Sequence, residues 1–223
     1  MLGSTAVSEP APASIPETPP LVVQGLCCVR GDRELFAELD LAIAPGEVLQ
    51  IEGDNGTGKT TLLRAVCGLA PIEEGRVLWH GLDVMEAADE FLGALTYIGH
   101  TAGVKRDLTP IENLDTAIAL TRAAPAVDPE SALARLGLLA LEHTPLRQLS
   151  AGQGRRVALA RLLVIPTTLW VLDEPFTALD ATGKSLVETM ITEHCANGGL
   201  VLVSTHQPLA LDGVRVHHLR LGA

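Results

Sequence analysis

The stretch that most constrains this chain is GDNGTGKTT, residues 53–61, which satisfies G-x-x-x-x-G-K-[ST] with Gly53, Gly58, Lys59 and Thr60 at the fixed positions. It lies between an apolar run, VLQI at 48–51, and a segment of helical apolar spacing, TLLRAVCGL at 61–69. Strand, glycine-rich turn and helix in that order make a cradle for a polyphosphate. The glycines let successive backbone N–H groups, from Asp54, Asn55, Gly56 and Thr57 onward, turn inward around the anion. The helix that follows, from Thr61, aims the positive end of its dipole at the same charge. Lys59 then neutralises the β- and γ-phosphates, and the Thr60 hydroxyl ligates Mg²⁺. The alternative, a glycine-rich turn that merely precedes a helix, is weakened by the strand before it and the helix after it.

With 223 residues there is room for one well-buried domain and at most a subdomain. Hydrophobic residues make up 47% of the chain but aromatic ones only 3%, so the core is expected to be aliphatic. The mean hydropathy of +0.29 is high, yet no run approaches the roughly 18 apolar residues of a spanning helix. The richest stretch, 162–172, is interrupted by Pro166, Thr167 and Thr168. A net charge of −11 and a pI near 5.0 oppose a protein that wraps nucleic acid. Cys27, Cys28, Cys67 and Cys195 show no C-x-x-C spacing, which fits a reducing, cytosolic compartment.

Residues 1–20, rich in Pro, Ala and Ser and without a signal-peptide pattern, are expected to be a disordered tail. From Leu21, two short strands and the turn Pro45-Gly46 deliver the chain to the phosphate loop, whose helix meets stop signals at Gly68 and Pro71. A strand at 75–79 follows. Residues 89–148 then change character: a short strand at 95–98 and helices at 110–120 and 129–141 read as a mainly helical insert. A helix at 153–164, a strand at 169–172, a helix at 182–195 and a strand at 200–204 complete the pattern. The alternation predicts an α/β fold with a largely parallel sheet flanked by helices.

The apolar strand LWVLDE, 169–174, stops at two carboxylates, which places Asp173 and Glu174 at the carboxyl edge of the sheet beside the phosphate loop. Asp173 is then a Mg²⁺ ligand, directly or through water, and Glu174 the general base toward an attacking water. Taken alone, the pair also reads as two solvated acids at a strand end. LSAGQ, 149–153, opens a helix; Ser150 is by itself an ordinary N-cap, though a helix N-terminus with a hydroxyl also suits a γ-phosphate.

GDNGTGKTT, LSAGQ, LWVLDE, Ala178-Leu179-Asp180 and Ser204-Thr205-His206, in that order, closely resemble the nucleotide-binding subunit of an ATP-binding-cassette (ABC) transporter. The resemblance covers about 21–207. It implies a P-loop NTPase fold of the ABC type, with a mostly parallel core sheet, a small antiparallel β subdomain and a helical subdomain at about 101–150. The domain would span 21–223. It implies ATP and Mg²⁺ as ligands and an ATP hydrolase as the activity. LSAGQ matches the signature motif LSGGQ, with Ala151 in place of a glycine. The family implication is a homodimer that sandwiches two ATP molecules, Ser150 and Gly152 of the turn closed by Gln153 meeting the γ-phosphate that Lys59 of the other subunit holds. His206 would touch the γ-phosphate, although alone it reads as a satisfied core histidine, and Asp180 would couple the two sites.

Two departures stand out. Where the family has a glutamine that senses Mg²⁺ and contacts the membrane partner, His100 stands twelve residues before Glu112-Asn113. Imidazole binds metal or water but titrates near neutrality, so ATPase activity is expected to fall on mild acidification. The adenine-stacking aromatic aligns with Arg30, which can stack on a base for less energy, with Phe36 as a nearby substitute.

Within the family, the approach QIEGDNG, YIGH at 97–100, LSAGQ followed by RRVALAR, LDEPFTALD and Thr205-His-Gln-Pro208 resemble the ATP-binding subunits of cytochrome c maturation haem exporters. This implies an integral membrane permease and other cytochrome c maturation proteins as partners. It also implies a peripheral place on the cytoplasmic side of the bacterial inner membrane. ATP would either move haem or drive release of a haem-loaded chaperone. Another small-cassette transporter would carry the same catalytic motifs. A nucleic-acid clamp of the cassette type is disfavoured by the acidic balance and the lack of a heptad repeat, so no nucleic-acid partner is expected.

Overall fold

The computed structural model describes residues 20–31, 33–121 and 123–222, so the tail expected at 1–20 lies almost wholly outside the described residues. Strands β1 (Leu21–Arg30) and β2 (Arg33–Ile43) pair antiparallel with Leu21 opposite Ile43 and Val23 opposite Leu41. They run longer than the short strands expected, because bulges between Val23 and Val29 absorb the broken alternation and let the ladder continue. β3 (Glu47–Glu52) ends at Gly53, and helix α1 (Lys59–Val66) starts with Lys59 and Thr60 in its first turn, ahead of the expected start. β4 (Glu74–Trp79) and the two-residue β5 (Leu82–Asp83) complete an antiparallel sheet of order β2-β1-β4-β5.

Helix α2 (Ala88–Ala94) precedes β6 (Leu95–Ile98), then come α3 (Pro110–Thr121) and α4 (Pro129–Arg135). α4 starts as its sequence dictates, with Pro129 in the first turn and the Asp128 carboxylate accepting from Ser131 N. It stops at Arg135 rather than near 141, because Gly137 takes a left-handed φ of 67° and only a short 3₁₀ turn, Leu139–Leu141, follows. α5 (Ala151–Val164), β7 (Leu169–Asp173), α6 (Ala181–Ala196), β8 (Leu200–Ser204) and β9 (Arg215–Arg220) finish the described chain.

β6-β7-β8-β3-β9 is a second sheet, parallel throughout. Its central strands are apolar on both sides, as burial by two layers demands. Val48, Trp170, Leu172, Val201 and Val203 face one core with Leu114 of α3, Leu133 of α4, Val157 and Leu163 of α5 and Val187 of α6. Their alternates Leu49, Ile51, Val171, Leu200 and Leu202 face another, filled by Leu62, Leu63 and Val66 of α1 and by Val23 and Trp79 of the antiparallel sheet. Each such side chain contributes about 1.5–3 kcal/mol on burial. Because β3, β7 and β8 are adjacent and parallel, their carboxyl ends bring Gly53, Asp173-Glu174 and Thr205-His206 to one edge, where ligands of open α/β sheets bind.

Candidate functional site

Two glycines in left-handed backbone conformations shape the phosphate loop. Gly53 has φ 143°, and a Cβ there would lie 2.6 Å from the Leu221 carbonyl oxygen and 2.7 Å from Thr57 Oγ1. Gly58 has φ 105°, with Leu35 Cβ 3.2 Å from the same imagined atom. Thr57 braces the turn by donating Oγ1–H to the Asp54 carbonyl at 2.9 Å. Lys59 is 7% exposed and its ammonium curls back, donating to the carbonyls of Gly53 at 2.6 Å and Asp54 at 3.1 Å. The same nitrogen is 3.2 Å from His206 Nε2, which is in turn 3.3 Å from Glu174 Oε1. That Nε2 serves one neighbour at a time: unprotonated it accepts from Lys59, protonated it donates to Glu174.

Asp173 is 1% exposed and doubly bound, accepting from Thr60 Oγ1 at 2.8 Å and from Ser204 Oγ at 2.6 Å. Glu174 takes a left-handed φ of 49°, rare for a residue with a Cβ, and its N–H is held by Ser204 at both the carbonyl (3.1 Å) and Oγ (3.0 Å). Ser204 thereby fixes both acids, a role the motif Ser-Thr-His did not announce. The Thr60 hydroxyl and Asp173 carboxylate form a side-by-side pair of hard oxygen donors. That donor set fits Mg²⁺, which takes one or two protein ligands and completes its shell with water and phosphate oxygens.

These groups surround a cleft of about 390 Å³. Asn55, Gly56, Gly58, Lys59, Thr60 and Thr61 line it from the loop, and Asp173, Glu174, His206 and His100 from the sheet edge. Leu35 and Thr177 also line it, and neither stands out in the sequence. The strand alternation of β2 points Leu35 toward the cleft and buries Phe36 beneath Gly58, its Cδ1 3.5 Å from the position of a Cβ there. Phe36 does not line the cleft. Arg30 ends β1, and its side chain lies outside the described residues. Gly53 and Asp54 line a neighbouring cleft on the other side of His206.

Residues 150–153 do not line the cleft of their own chain. Ser150 and Gln153 form a reciprocal capping box at the start of α5: Ser150 Oγ accepts from Gln153 N at 3.2 Å, and Gln153 Oε1 from Ser150 N at 2.8 Å. Ala151 is exposed, while a Cβ on Gly152 would stand 2.6 Å from the Ala178 carbonyl oxygen. Asp180 caps α6, accepting from Gly183 N at 2.8 Å. The turn at 150–153 thus rests on the segment 178–180 that follows Glu174. Tyr97, on β6, is half-buried, and burial, reinforced by the Asp173 charge, pushes its phenol up to about 12. The four cysteines are free thiols.

A model of the ABC transporter family matches residues 36–177. The cytochrome c biogenesis ATP-binding export protein CcmA of Methylococcus capsulatus is 48% identical over 195 residues, covering 87% of this chain and 94% of that protein. Its counterpart from Nitrosomonas europaea is 45% identical over 204 residues, covering 90% and 95%. Among solved structures, cbiO1 from Clostridium perfringens, part of the ABC transporter complex cbiONQ, superposes with a TM-score of 0.70 at 25% identity over 86% of this chain and 80% of that one. An ATP-binding cassette solved as a dimer in a post-hydrolysis state with ADP and Pi shares the fold, with a TM-score of 0.76 at 23% identity over 91% and 97%. The loop geometry and the paired acids at the sheet edge agree with these likenesses: the chain belongs to the ABC transporter family as an ATP-hydrolysing subunit and, within it, to the group of cytochrome c biogenesis ATP-binding export proteins.

Proposed function

We propose that this subunit drives haem handling for cytochrome c biogenesis through an integral membrane permease, either exporting haem or releasing a haem-loaded chaperone. The observation that carries the reading is the convergence of Lys59, the Thr60–Asp173 pair and the Glu174–His206 pair on one cleft, in a chain whose relatives are named for this process. The phosphate loop and Lys59 hold the triphosphate of ATP, Lys59 exchanging the carbonyls of Gly53 and Asp54 for phosphate oxygens. Thr60 and Asp173 would hold Mg²⁺, which when bound offsets charge on the β- and γ-oxygens. Glu174 takes the proton of the water that attacks the γ-phosphorus, and His206 orients the γ-phosphate from beside it. Leu35 gives the nucleotide an apolar flank, with Arg30 as the base contact.

Ser150, Ala151, Gly152 and Gln153 meet the γ-phosphate of a second copy, and Asp180 lies between the two sites. ATP closes this homodimer and hydrolysis reopens it; the force comes only from the greater affinity of ATP for the closed state. The permease docks in a cleft of about 830 Å³ bordered by Leu92, Tyr97, Val104, Lys105, Leu120 and Arg161, where Leu92 and Leu120 are 52% and 80% exposed. That cleft adjoins the loop bearing His100, so motion in the partner reaches the water and metal side of the site. We assign residues 21–223 to one ATP-binding domain, with 101–150 as its docking arm. We place the subunit on the cytoplasmic face of the inner membrane, held by the permease; no helix among the described residues is long and apolar enough to cross a membrane.

The test is Glu174→Gln in the complex with its membrane partner and in cells. Nucleotide binding persists, turnover falls by about 10²–10⁴, and haem staining of c-type cytochromes is lost. Normal hydrolysis would remove Glu174 as the base, and normal cytochromes with a dead ATPase would remove the assignment to cytochrome c biogenesis.

A further inference from the structure

Arg155, in the second turn of α5, is 5% exposed and, among the described residues, forms no hydrogen bond to a carboxylate side chain. Its guanidinium instead spreads over the backbone of two loops. Nη2 donates to the carbonyls of Asp173 and Glu174, both at 2.9 Å, and Nε to that of Pro175 at 3.2 Å. Nη1 donates to Gly99 at 2.8 Å, with the His100 carbonyl at 3.5 Å. The five N–H groups of the fork are thus matched by five carbonyls, a set that neither lysine nor glutamine can supply. Burial pulls the guanidinium pKa down, while the charges of Asp173 and Glu174 act to hold it up.

A buried cation with no ion pair among the described residues is an expensive way to fill space. Its placement is informative. Glu174 sits in a left-handed conformation whose N–H side is held by Ser204, and Arg155 holds the carbonyl side of the same turn at three successive residues. One side chain also spans the loop with His100, next to the docking cleft, and it grows from the helix whose first turn is the Ser150–Gln153 capping box.

We propose that Arg155 is a positioning residue that bolts together three parts of one chain: the turn at 150–153, the loop carrying Glu174 and the loop carrying His100. Resting on the dimer reading above, it transmits the closure felt by the turn at the partner's nucleotide to the orientation of this chain's own Glu174. Arg155 does not line the cleft. Loss of Arg155 lets Glu174 relax from its strained backbone while leaving the phosphate loop and Lys59, which Arg155 does not contact, in place.

The test compares Arg155→Gln and Arg155→Lys with the unaltered chain, in complex with the membrane partner. kcat, KM for ATP, binding of a fluorescent ATP analogue without Mg²⁺, and the thermal midpoint are read on the same preparations. Arg155→Gln is expected to lower kcat by roughly 10²-fold with KM and analogue binding unchanged, as a misplacement near 1 Å does. Arg155→Lys, which keeps the charge and three donors, recovers part of the loss. An unchanged kcat in Arg155→Gln overturns the proposal. So does a fall in analogue binding and kcat together, in step with the loss of folded protein and equal for Gln and Lys. Glu174→Gln beside them separates the two readings: full activity in that variant strikes at Glu174 as base, whereas full activity of Arg155→Gln beside a dead Glu174→Gln strikes only at Arg155.

Discussion

Two glycines, two residues apart at the start of α5, are predicted to respond in opposite ways to the same added methyl group. At Gly152 a Cβ would lie 2.6 Å from the Ala178 carbonyl oxygen, and ordinary contact begins at 3.4 Å, so the two backbones must part by about 0.8 Å. Neither side yields easily: Gly152 is pinned in a capped helical turn, and Ala178 already sits at a left-handed φ of 65°. Overpacking of this kind costs about 1–3 kcal/mol, offset by up to about 1 kcal/mol from the better helix propensity of alanine. Gly152→Ala should therefore lower the thermal midpoint by a few degrees, at about 2–4 °C per kcal/mol for a chain of this size. The larger effect is on turnover. The displaced segment runs from Glu174 to Asp180, and a shift near 1 Å costs roughly 10²-fold. At Gly154 the same methyl meets nothing within 4 Å and φ is not left-handed, so Gly154→Ala should stabilise by about 0.4–1 kcal/mol and leave turnover alone. Differential scanning fluorimetry and ATPase assays on the two variants decide it. If both midpoints rise alike and Gly152→Ala hydrolyses normally, the close approach of the turn to residue 178 is not what shapes the site.

Two further experiments follow. His100 lines the cleft, and we expect His100→Gln to change turnover while nucleotide binding persists; unchanged turnover would remove His100 from the chemistry. His194 stacks on Trp170 with ring centroids 3.8 Å apart and an interplanar angle of 7°, and burial pushes its pKa below the ordinary 6.5 despite its contact with the Thr168 carbonyl. The unfolded chain then binds a proton that the native chain refuses, so this stability is present above about pH 6.5 and is lost as pH falls toward the depressed value. The thermal midpoint should drop between about pH 7 and pH 5, and less steeply in His194→Gln; equal slopes would contradict the assignment.

The elements legible in the sequence were those whose pattern has one cause. Buried parallel strands such as Leu169–Asp173 and Leu200–Ser204 read as unbroken apolar runs because helices cover both faces, and the phosphate loop reads from its glycines. β9, RVHHLR, escaped because an edge strand with one sheltered neighbour keeps polar residues on both faces. α2 buries only Phe91 and contains Gly93, too little for a periodic signal. The spacing extends α4 beyond its observed end because Leu138, Leu139 and Leu141 continue the helical pattern past Gly137, and only the left-handed turn there ends the helix. In the cleft, the ionisable groups were visible from motifs, but Leu35 and Thr177 reach it only through tertiary placement. Arg155 is one of two adjacent arginines in the sequence; its burial follows from the loops that close over it, and no spacing rule reports that.

The most direct measurement of where the turn at 150–153 lies when ATP is bound is a structure of the Glu174→Gln complex with ATP and Mg²⁺. We predict two copies facing head to tail, with Ser150 and Gly152 of each against the γ-phosphate held by Lys59 of the other. A nucleotide-loaded complex in which those residues face solvent, away from both nucleotides, would contradict it.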